Sequence, residues 1–171
     1  MKKKTLLLVM CVGLTGRAAA QAASSVSADA VVVTVGMTIS TLRDLNFGTV
    51  IKGVPTTILP TAANAGEWQV SGSANAFIVI GFTLPTQLTN IQALPGSTMP
   101  IAFSGISAIW RRSTNNPVGG TVFDPAVGAV GRLGPPSNFN MYIWIGGTVT
   151  PALAAKPGIY QGNVVVSLIY Q

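Results

Sequence analysis

The last fourteen residues of the chain decide its fold class: Gly158-Ile159-Tyr160-Gln161-Gly162-Asn163-Val164-Val165-Val166-Ser167-Leu168-Ile169-Tyr170-Gln171. From Val164 onward the pattern has a period of two and is rich in β-branched and aromatic residues, which is typical of a strand. One side of this extended chain carries Val164, Val166, Leu168 and Tyr170, and the other carries Val165, Ser167 and Ile169. The pattern predicts a strand buried largely on both faces. Because so apolar a strand at an open sheet edge invites another chain to pair with it, we expect a partner against its backbone.

The first 22 residues have the order of a secretory signal peptide. Three lysines, Lys2 to Lys4, precede an apolar run from Thr5 to Gly16, and small residues follow. This run is too short to span a bilayer, and small residues of this kind mark a cleavage site. The sequence therefore predicts export after removal of residues 1–22, an N-terminal extension over 23–35, and one folded domain over 36–171.

Composition excludes several classes of protein. The chain has 171 residues, of which 49% are hydrophobic and 8% charged, so it suits one globular domain with a substantial core. Four of the ten basic residues lie within residues 1–22, and without them the net charge falls from +6 to +2. A basic surface for nucleic acid is therefore not expected. Cys11, the single cysteine, lies in the same segment, so the exported domain has no disulfide.

Alternating apolar residues also mark the start of the mature chain. Val31, Val33 and Val35 fall on one face of an extended segment that continues to Ser40. The stretch is long for a single strand, and Gly36 offers a place to divide it. We expect a separate N-terminal strand before Gly36 and the first strand of the domain after it, continuing past a turn through 45–50.

The rest of the chain predicts short strands separated by turns. Strands are expected over 67–71, 76–84, 99–110, 139–149 and 164–170, with a short strand near Val122 and loops over 54–65 and most of 111–137. No helical period is sustained after residue 22. Roughly seven short strands of this kind indicate an all-β, antiparallel β-sandwich of the immunoglobulin type.

Residues for catalysis are scarce. The chain has no histidine, and its four acids, Asp29, Asp44, Glu67 and Asp124, are far apart in sequence. General acid–base catalysis and metal binding both draw on these residue types. We therefore expect no catalytic residue, no metal ion and no cofactor, and hence no enzyme.

Two aromatic clusters allow a binding interpretation and a structural one. Trp110-Arg111-Arg112 could stack on a base and bind phosphate, but a strand end with an inward tryptophan and solvated arginines is favoured. Tyr142 and Trp144 share one strand face and could line a sugar site. Without convergent polar groups, packing is the favoured interpretation for them as well.

Both ends of the chain resemble those of one family. Tyr170 is the penultimate residue, and Gly158 is the fourteenth from the end, as in the C-terminal signature of chaperone-usher pilin subunits. Pro157-Gly158-x-Tyr160-x-Gly162 before an alternating final strand is similar to fimbrial and spore-coat-U-like subunits. Thr38-Ile39-Ser40 followed by Leu45-Asn46-Phe47-Gly48-Thr49 resembles the opening of their domain. The absence of a mature cysteine departs from many classical pilins.

The resemblance implies an incomplete immunoglobulin-like sandwich that lacks its seventh strand. In such families a periplasmic chaperone first fills the groove, and the N-terminal donor strand of the next subunit then replaces it at an outer-membrane usher. The implied donor residues are Val31, Val33 and Val35, and the implied acceptor residues are Gly158, Val164, Val166, Leu168 and Tyr170. The chain would then be an exported subunit of a surface fimbria or coat that polymerises with identical subunits by β-strand addition.

Two other functions stay open at this point. The first is a secreted monomeric sandwich that binds glycan or a surface protein through the 111–137 loops. The second is a small outer-membrane β-barrel, since the strands alternate, although the eleven prolines suit a barrel wall poorly.

Overall fold

Strands make up the regular structure of the folded domain. The structure is a computed structural model, and it describes residues 36–92 and 97–171. The thirteen strands are β1 (Thr38–Arg43), β2 (Thr56–Ile58), β3 (Gly66–Ser71), β4 (Phe77–Thr83), β5 (Gln87–Asn90), β6 (Thr98–Ala102), β7 (Ala108–Arg112), β8 (Thr121–Phe123), β9 (Ala129–Arg132), β10 (Asn140–Ile145), β11 (Gly147–Val149), β12 (Tyr160–Gln161) and β13 (Val165–Tyr170).

One face of the domain is a five-stranded antiparallel sheet in the order β1-β3-β10-β7-β8. Its centre is the pair β3 and β10, in which Val70 lies opposite Met141 and Trp68 opposite Ile143. All four of these side chains are buried, because alternate residues of neighbouring strands point to the same side of a sheet. The alternation seen in 67–71 and 139–149 thus places one row of large apolar residues on the core.

The other face contains two antiparallel sheets, in the orders β13-β4-β9 and β12-β5-β6-β11-β2. The two sheets are successive parts of the same pair of chain segments. One segment forms β4 and then β5, the other forms β12 and then β13, and β13 pairs with β4 while β12 pairs with β5. Two other strands pass between faces: β6 leads to β7, and β10 leads to β11 through Gly146.

The main core lies between the two faces. It is formed by ten buried residues, namely Trp68, Val70, Ile78, Ile80, Ala108, Phe123, Leu133, Met141, Ile143 and Ile145. Phe82 contacts both Trp68, edge to face at 5.8 Å between ring centroids, and Phe123, in a stacked arrangement at 6.2 Å. A smaller cluster of Met99, Ile101 and Val149 lies under the second of the two sheets.

The predicted fold class is confirmed: the described chain is an all-β antiparallel sandwich. The order β1-β3-β10-β7 corresponds to the A-B-E-D order of an immunoglobulin-type sheet. In the opposite sheet, β4 and β13 correspond to its strands C and F. In that scheme the strand beside F, on the side away from C, is G. No strand of the described residues lies on that side of β13.

The prediction that the last strand is buried on both faces is wrong. Val165 is 53% exposed and Ile169 is 67% exposed, whereas Val166, Leu168 and Tyr170 are half-buried against the core. The reason is the position of β13 as the last strand of its sheet on the outer surface, where nothing in the described chain covers its outward face. An unbroken apolar run therefore did not distinguish two covered faces from one.

Several strand boundaries also differ from expectation. Residues 45–50 are not a strand, and the expected strands over 99–110 and 139–149 each divide into two that belong to different faces. Strands β2, β5, β9 and β12 lie in segments expected to be loops or left unassigned. Each of these is only two to four residues long, too short for a period of two to be recognised.

The predicted signal peptide over 1–22, the extension over 23–35 and the donor residues Val31, Val33 and Val35 lie outside the described residues. Within residues 36–92 and 97–171, no helix is long and apolar enough to cross a membrane.

The passage of the chain from β10 to β11 depends on Gly146. A Cβ atom at this position would lie 2.1 Å from the carbonyl oxygen of Ile58 and 2.8 Å from the nitrogen of Pro60, both of which are backbone atoms. Because backbone cannot move aside like the end of a side chain, Gly146→Ala is expected to lower the free energy of unfolding by about 2–3 kcal/mol or more.

Gly105→Ala is the matched control, since its nearest contact would be 3.6 Å away, and it is expected to change stability by less than about 0.5 kcal/mol. Urea unfolding of the two variants measures the difference. Equal unfolding midpoints would contradict the described crossing.

Candidate functional site

The candidate site is the seam between β1 and β13, which are the end strands of their respective sheets. Arg43, the last residue of β1, and Val165, the first residue of β13, line the same cleft. At the opposite end of both strands, Met37 and Tyr170 pack against the same core. The two strands therefore border one margin of the sandwich along their whole length.

Side chains on the core side of this margin are only partly covered. Val166 and Leu168 of β13 contact the core but stay half-buried, whereas Ile78 and Ile80 of the neighbouring β4 are fully buried. On β1, Ile39 lies opposite the fully buried Val70 and yet is 42% exposed. The margin thus has an apolar lining on both sides.

Tyr170 fixes the end of β13 nearest the β3–β4 turn. Its hydroxyl oxygen accepts a hydrogen bond from the backbone N–H of Ser73 at 2.9 Å. Gly72 makes the approach possible, because a Cβ atom there would lie 2.3 Å from the same hydroxyl. The predicted acceptor residue Tyr170 is therefore also an anchor that ties the last strand to the turn after β3.

Gly158 lies at the other end of the seam, in the turn before β12. Its φ angle is +147°, and a Cβ atom would lie 2.3 Å from the side-chain nitrogen of Asn90, which is itself buried. Asn90 holds this turn further by donating a hydrogen bond to the carbonyl oxygen of Pro157 at 3.4 Å. Glycine is required here by both backbone conformation and space.

A cleft of about 1050 Å³ opens at this end of the seam. Its walls are the end of β1 with the loop that follows it, residues 43–50, and the segment 155–165. Its floor is the smaller core cluster, Met99, Ile101 and Val149, with Leu88 and Tyr160 at its sides. Gly158 and Val164 line the cleft, and Val166, Leu168 and Tyr170 continue along β13 beyond it. The five predicted acceptor residues therefore follow one continuous seam.

The charged residues near the cleft divide into paired and unpaired ones. Arg43 forms an ion pair with the buried Glu67 and also donates a hydrogen bond to the carbonyl oxygen of Ala63, which holds the end of β1 against β3. Lys52 and Lys156 line the cleft, and the side-chain ammonium group of neither makes a hydrogen bond or ion pair within the described residues. The cleft therefore combines an apolar floor with a cationic rim.

The two aromatic clusters lie away from the seam. Trp110 packs against the core, Arg111 donates to the carbonyl oxygens of Asn116 and Val118, and Arg112 donates to the carbonyl oxygen of Leu133 at 2.8 Å. The arginines are therefore bound to neighbouring loops rather than simply solvated. Tyr142 and Trp144 stack at 6.1 Å between ring centroids and are buried with Ile109, on the face of β10 opposite the main core.

No group of three or more potential metal-ligating side chains, His, Cys, Asp or Glu, occurs within residues 36–92 and 97–171. Two of the three described acids, Glu67 and Asp124, have structural partners. Glu67 pairs with Arg43, and a carboxylate oxygen of Asp124 accepts a hydrogen bond from the N–H of Ala126 at 2.8 Å in a turn.

Sequence reasoning found β13 but not the cleft. The missed residues are those of the floor and of the loop wall, including Phe47, Val50, Leu88, Met99 and Val149. They come from four separate segments of the chain, so no local pattern joins them. One sequence signal for the loop wall is present in Leu45-Asn46-Phe47-Gly48, where a glycine interrupts an apolar alternation. In the structure this glycine has a φ angle of +65°.

The tyrosine anchor can be tested by removing one oxygen atom. Tyr170→Phe leaves the N–H of Ser73 without this acceptor and is expected to lower the free energy of unfolding by about 1–2 kcal/mol. Tyr160→Phe is the matched control, since its hydroxyl bonds an exposed carbonyl oxygen of Lys156, and we expect less than about 0.5 kcal/mol. Chemical denaturation measures both, and a larger loss for Tyr160→Phe would contradict the anchor.

Comparison with known proteins places the chain in a family. No curated protein matches the sequence. A family model described as "Domain of unknown function (DUF4402)" matches residues 37–170, which begins just before β1 and ends at the last residue of β13. Because the match covers well over half of the chain, this protein belongs to the DUF4402 family.

Proposed function

We propose that the protein is an exported, non-enzymatic structural subunit of a surface fimbria or coat, and that it polymerises by donor-strand exchange. Each subunit would supply its residues 23–35 to the seam of the next. Val31, Val33 and Val35 would be the inserted side chains, and the strand β13 would receive them.

The single observation that carries this proposal is the open second edge of β13. This strand pairs with β4 on one side, and on the other side no described strand satisfies its outward N–H and C=O groups. It stands where strand F of an immunoglobulin-type sandwich normally pairs with strand G. An extended segment added at this edge would gain backbone hydrogen bonds and would complete the burial of Val166 and Leu168, which are half-buried.

The donor segment has the side-chain pattern that the seam requires. Valines at 31, 33 and 35 project to one side of an extended chain, and the core-facing residues of β13 also recur at every second position. Every strand pair in the described domain is antiparallel, so we expect the donor to run antiparallel to β13.

The partners follow from this arrangement. A contact in which one end of a molecule binds a different site on the next copy does not close on itself, and it therefore builds a filament. Until the next subunit arrives, the seam needs a temporary occupant, for which we propose a periplasmic chaperone, with an outer-membrane usher at the site of exchange. The protein would pass through the periplasm and act at the cell surface.

Removal of the donor segment is the first test. The exported chain is made with residues 23–35 replaced by a glycine/serine segment of the same length, so that the signal peptide and the spacing are kept. We expect secretion of folded monomer and loss of the polymer that resists heating in detergent. Polymer of undiminished length and amount, seen on gels and by electron microscopy, would contradict the donor role.

The face of the donor strand gives a sharper test in the full chain. Val33→Asp would place a carboxylate on the apolar seam, and because an unpaired buried charge costs several kcal/mol, it should abolish polymer. Val32→Asp changes the adjacent residue on the opposite face and should leave polymer largely intact. If the two variants reduced polymer equally, insertion of Val31, Val33 and Val35 into the seam would be ruled out. The secreted monomeric binding module is favoured instead if the unmodified chain stays monomeric.

A further inference from the structure

The two ends of the described domain carry complementary shapes. At one end, Gly36, Gly72, Ala74, Pro136 and Phe139 line a depression of about 400 Å³, which we call the recess. At the other end, beside the cleft, Ile51, Val54 and Leu153 are exposed on two adjoining turns, which we call the tip. Leu153 is 81% exposed.

The tip is held in one conformation by the backbone. The N–H of Gly53 donates to the carbonyl oxygen of Pro151 at 2.8 Å, and the N–H of Val54 donates to the carbonyl oxygen of Ile51 at 3.1 Å. Gly53 has a φ angle of +75° and lies under Leu153, whose Cδ2 would be 2.6 Å from a Cβ atom there. Leu153 is therefore presented outward on a preformed support, and little conformational entropy would be lost if it were bound.

The proposed donor strand brings these two ends together. Strand β13 runs from the cleft, which Val165 lines, to the recess, where Tyr170 lies beside Gly72. An antiparallel donor therefore runs the opposite way, and its last residue, Val35, leaves the seam at the cleft end. Met37 already packs against the core of the donor's own domain. Only Gly36 lies between them, and two residue steps span at most about 7 Å.

From this short link we infer that the tip of each subunit docks into the recess of the subunit that donates its strand. The partner is thus a second copy of this chain, and the inference rests on the proposed strand donation. The recess begins at Gly36 itself. It is lined by small residues, among them the polar Thr38 and Ser71, by a proline and by the exposed ring of Phe139, and this mostly apolar lining suits an aliphatic side chain. Leu153 is the side chain that fills it.

This second contact would set the angle between successive subunits. A Cβ atom at Gly36 would meet nothing within 4 Å, so the link itself is not restrained by packing. A glycine link alone would act as a flexible hinge. Docking of the tip beside the link restrains that hinge, because two contacts separated along the junction oppose its rotation.

Cross-linking in assembled fibres tests the contact. The single native cysteine lies at position 11, within the predicted signal peptide, so introduced thiols are the only ones in the mature chain. The chain with Ala74→Cys and Leu153→Cys is assembled and treated with a short bis-maleimide. We expect covalent ladders, and each single variant should give none. The matched control pairs Ala74→Cys with Val127→Cys, since Val127 is 83% exposed and lies outside the tip, and no ladder is expected.

Fibre stability supplies a second readout. Leu153→Asp is expected to raise the rate of fibre dissociation in detergent about tenfold, equivalent to about 1.4 kcal/mol, while the equally exposed Val127→Asp leaves it unchanged. The tip contact would be overturned if normal fibres gave no ladder from the 74/153 pair, or if the two aspartate variants dissociated at equal rates. Strand donation would be unaffected by either result. Failure of the unmodified chain to form fibres would overturn strand donation and this inference with it.

Discussion

The last strand, β13, is hydrogen-bonded to a neighbouring strand along only one of its two edges. Backbone N–H and C=O groups on one edge of β13 pair with β4, and the groups on its other edge have no strand partner among the described residues. Apolar strand edges of this kind are commonly blunted by charge, proline or a covering loop. Residues 164–170 contain no charged residue and no proline. The open cleft and the incompletely buried side chains show that no described loop covers this margin. In the proposed assembly, a strand added at this edge would pair the free backbone groups and would also cover the apolar side chains.

Glycine and tyrosine residues hold this margin in one conformation. Gly158 lets the turn before β12 lie against Asn90, and Gly72 lets the hydroxyl of Tyr170 reach the backbone of Ser73. The ion pair of Arg43 with Glu67 holds the end of β1 on the opposite wall. The two walls are thereby fixed from different sheets, so the space between them has a defined width. A preformed seam reduces the entropic cost of receiving a strand.

The sequence predicted the fold class and which side chains of the last strand share a face, but not the residues from other segments that form the cleft. Alternation in Val164 to Tyr170 identified which side chains share a face, because period and face are linked by backbone geometry alone. It could not tell that Val165 and Ile169 are exposed, since burial of the outer face depends on what other segments cover. The crossing at Gly146 was missed for the same reason: the need for glycine comes from Ile58 and Pro60, which are distant in sequence.

The central claim is that β13 pairs with the N-terminal segment of a neighbouring molecule, and the arrangement of strands in an assembled fibre tests it most directly. Electron cryomicroscopy of fibres from the full exported chain would trace the residues beside β13. The account predicts Val31 to Val35 of an adjacent subunit there, running antiparallel to Val165–Tyr170. A segment from the same subunit in that position, or an edge that stays unpaired within the fibre, would contradict it.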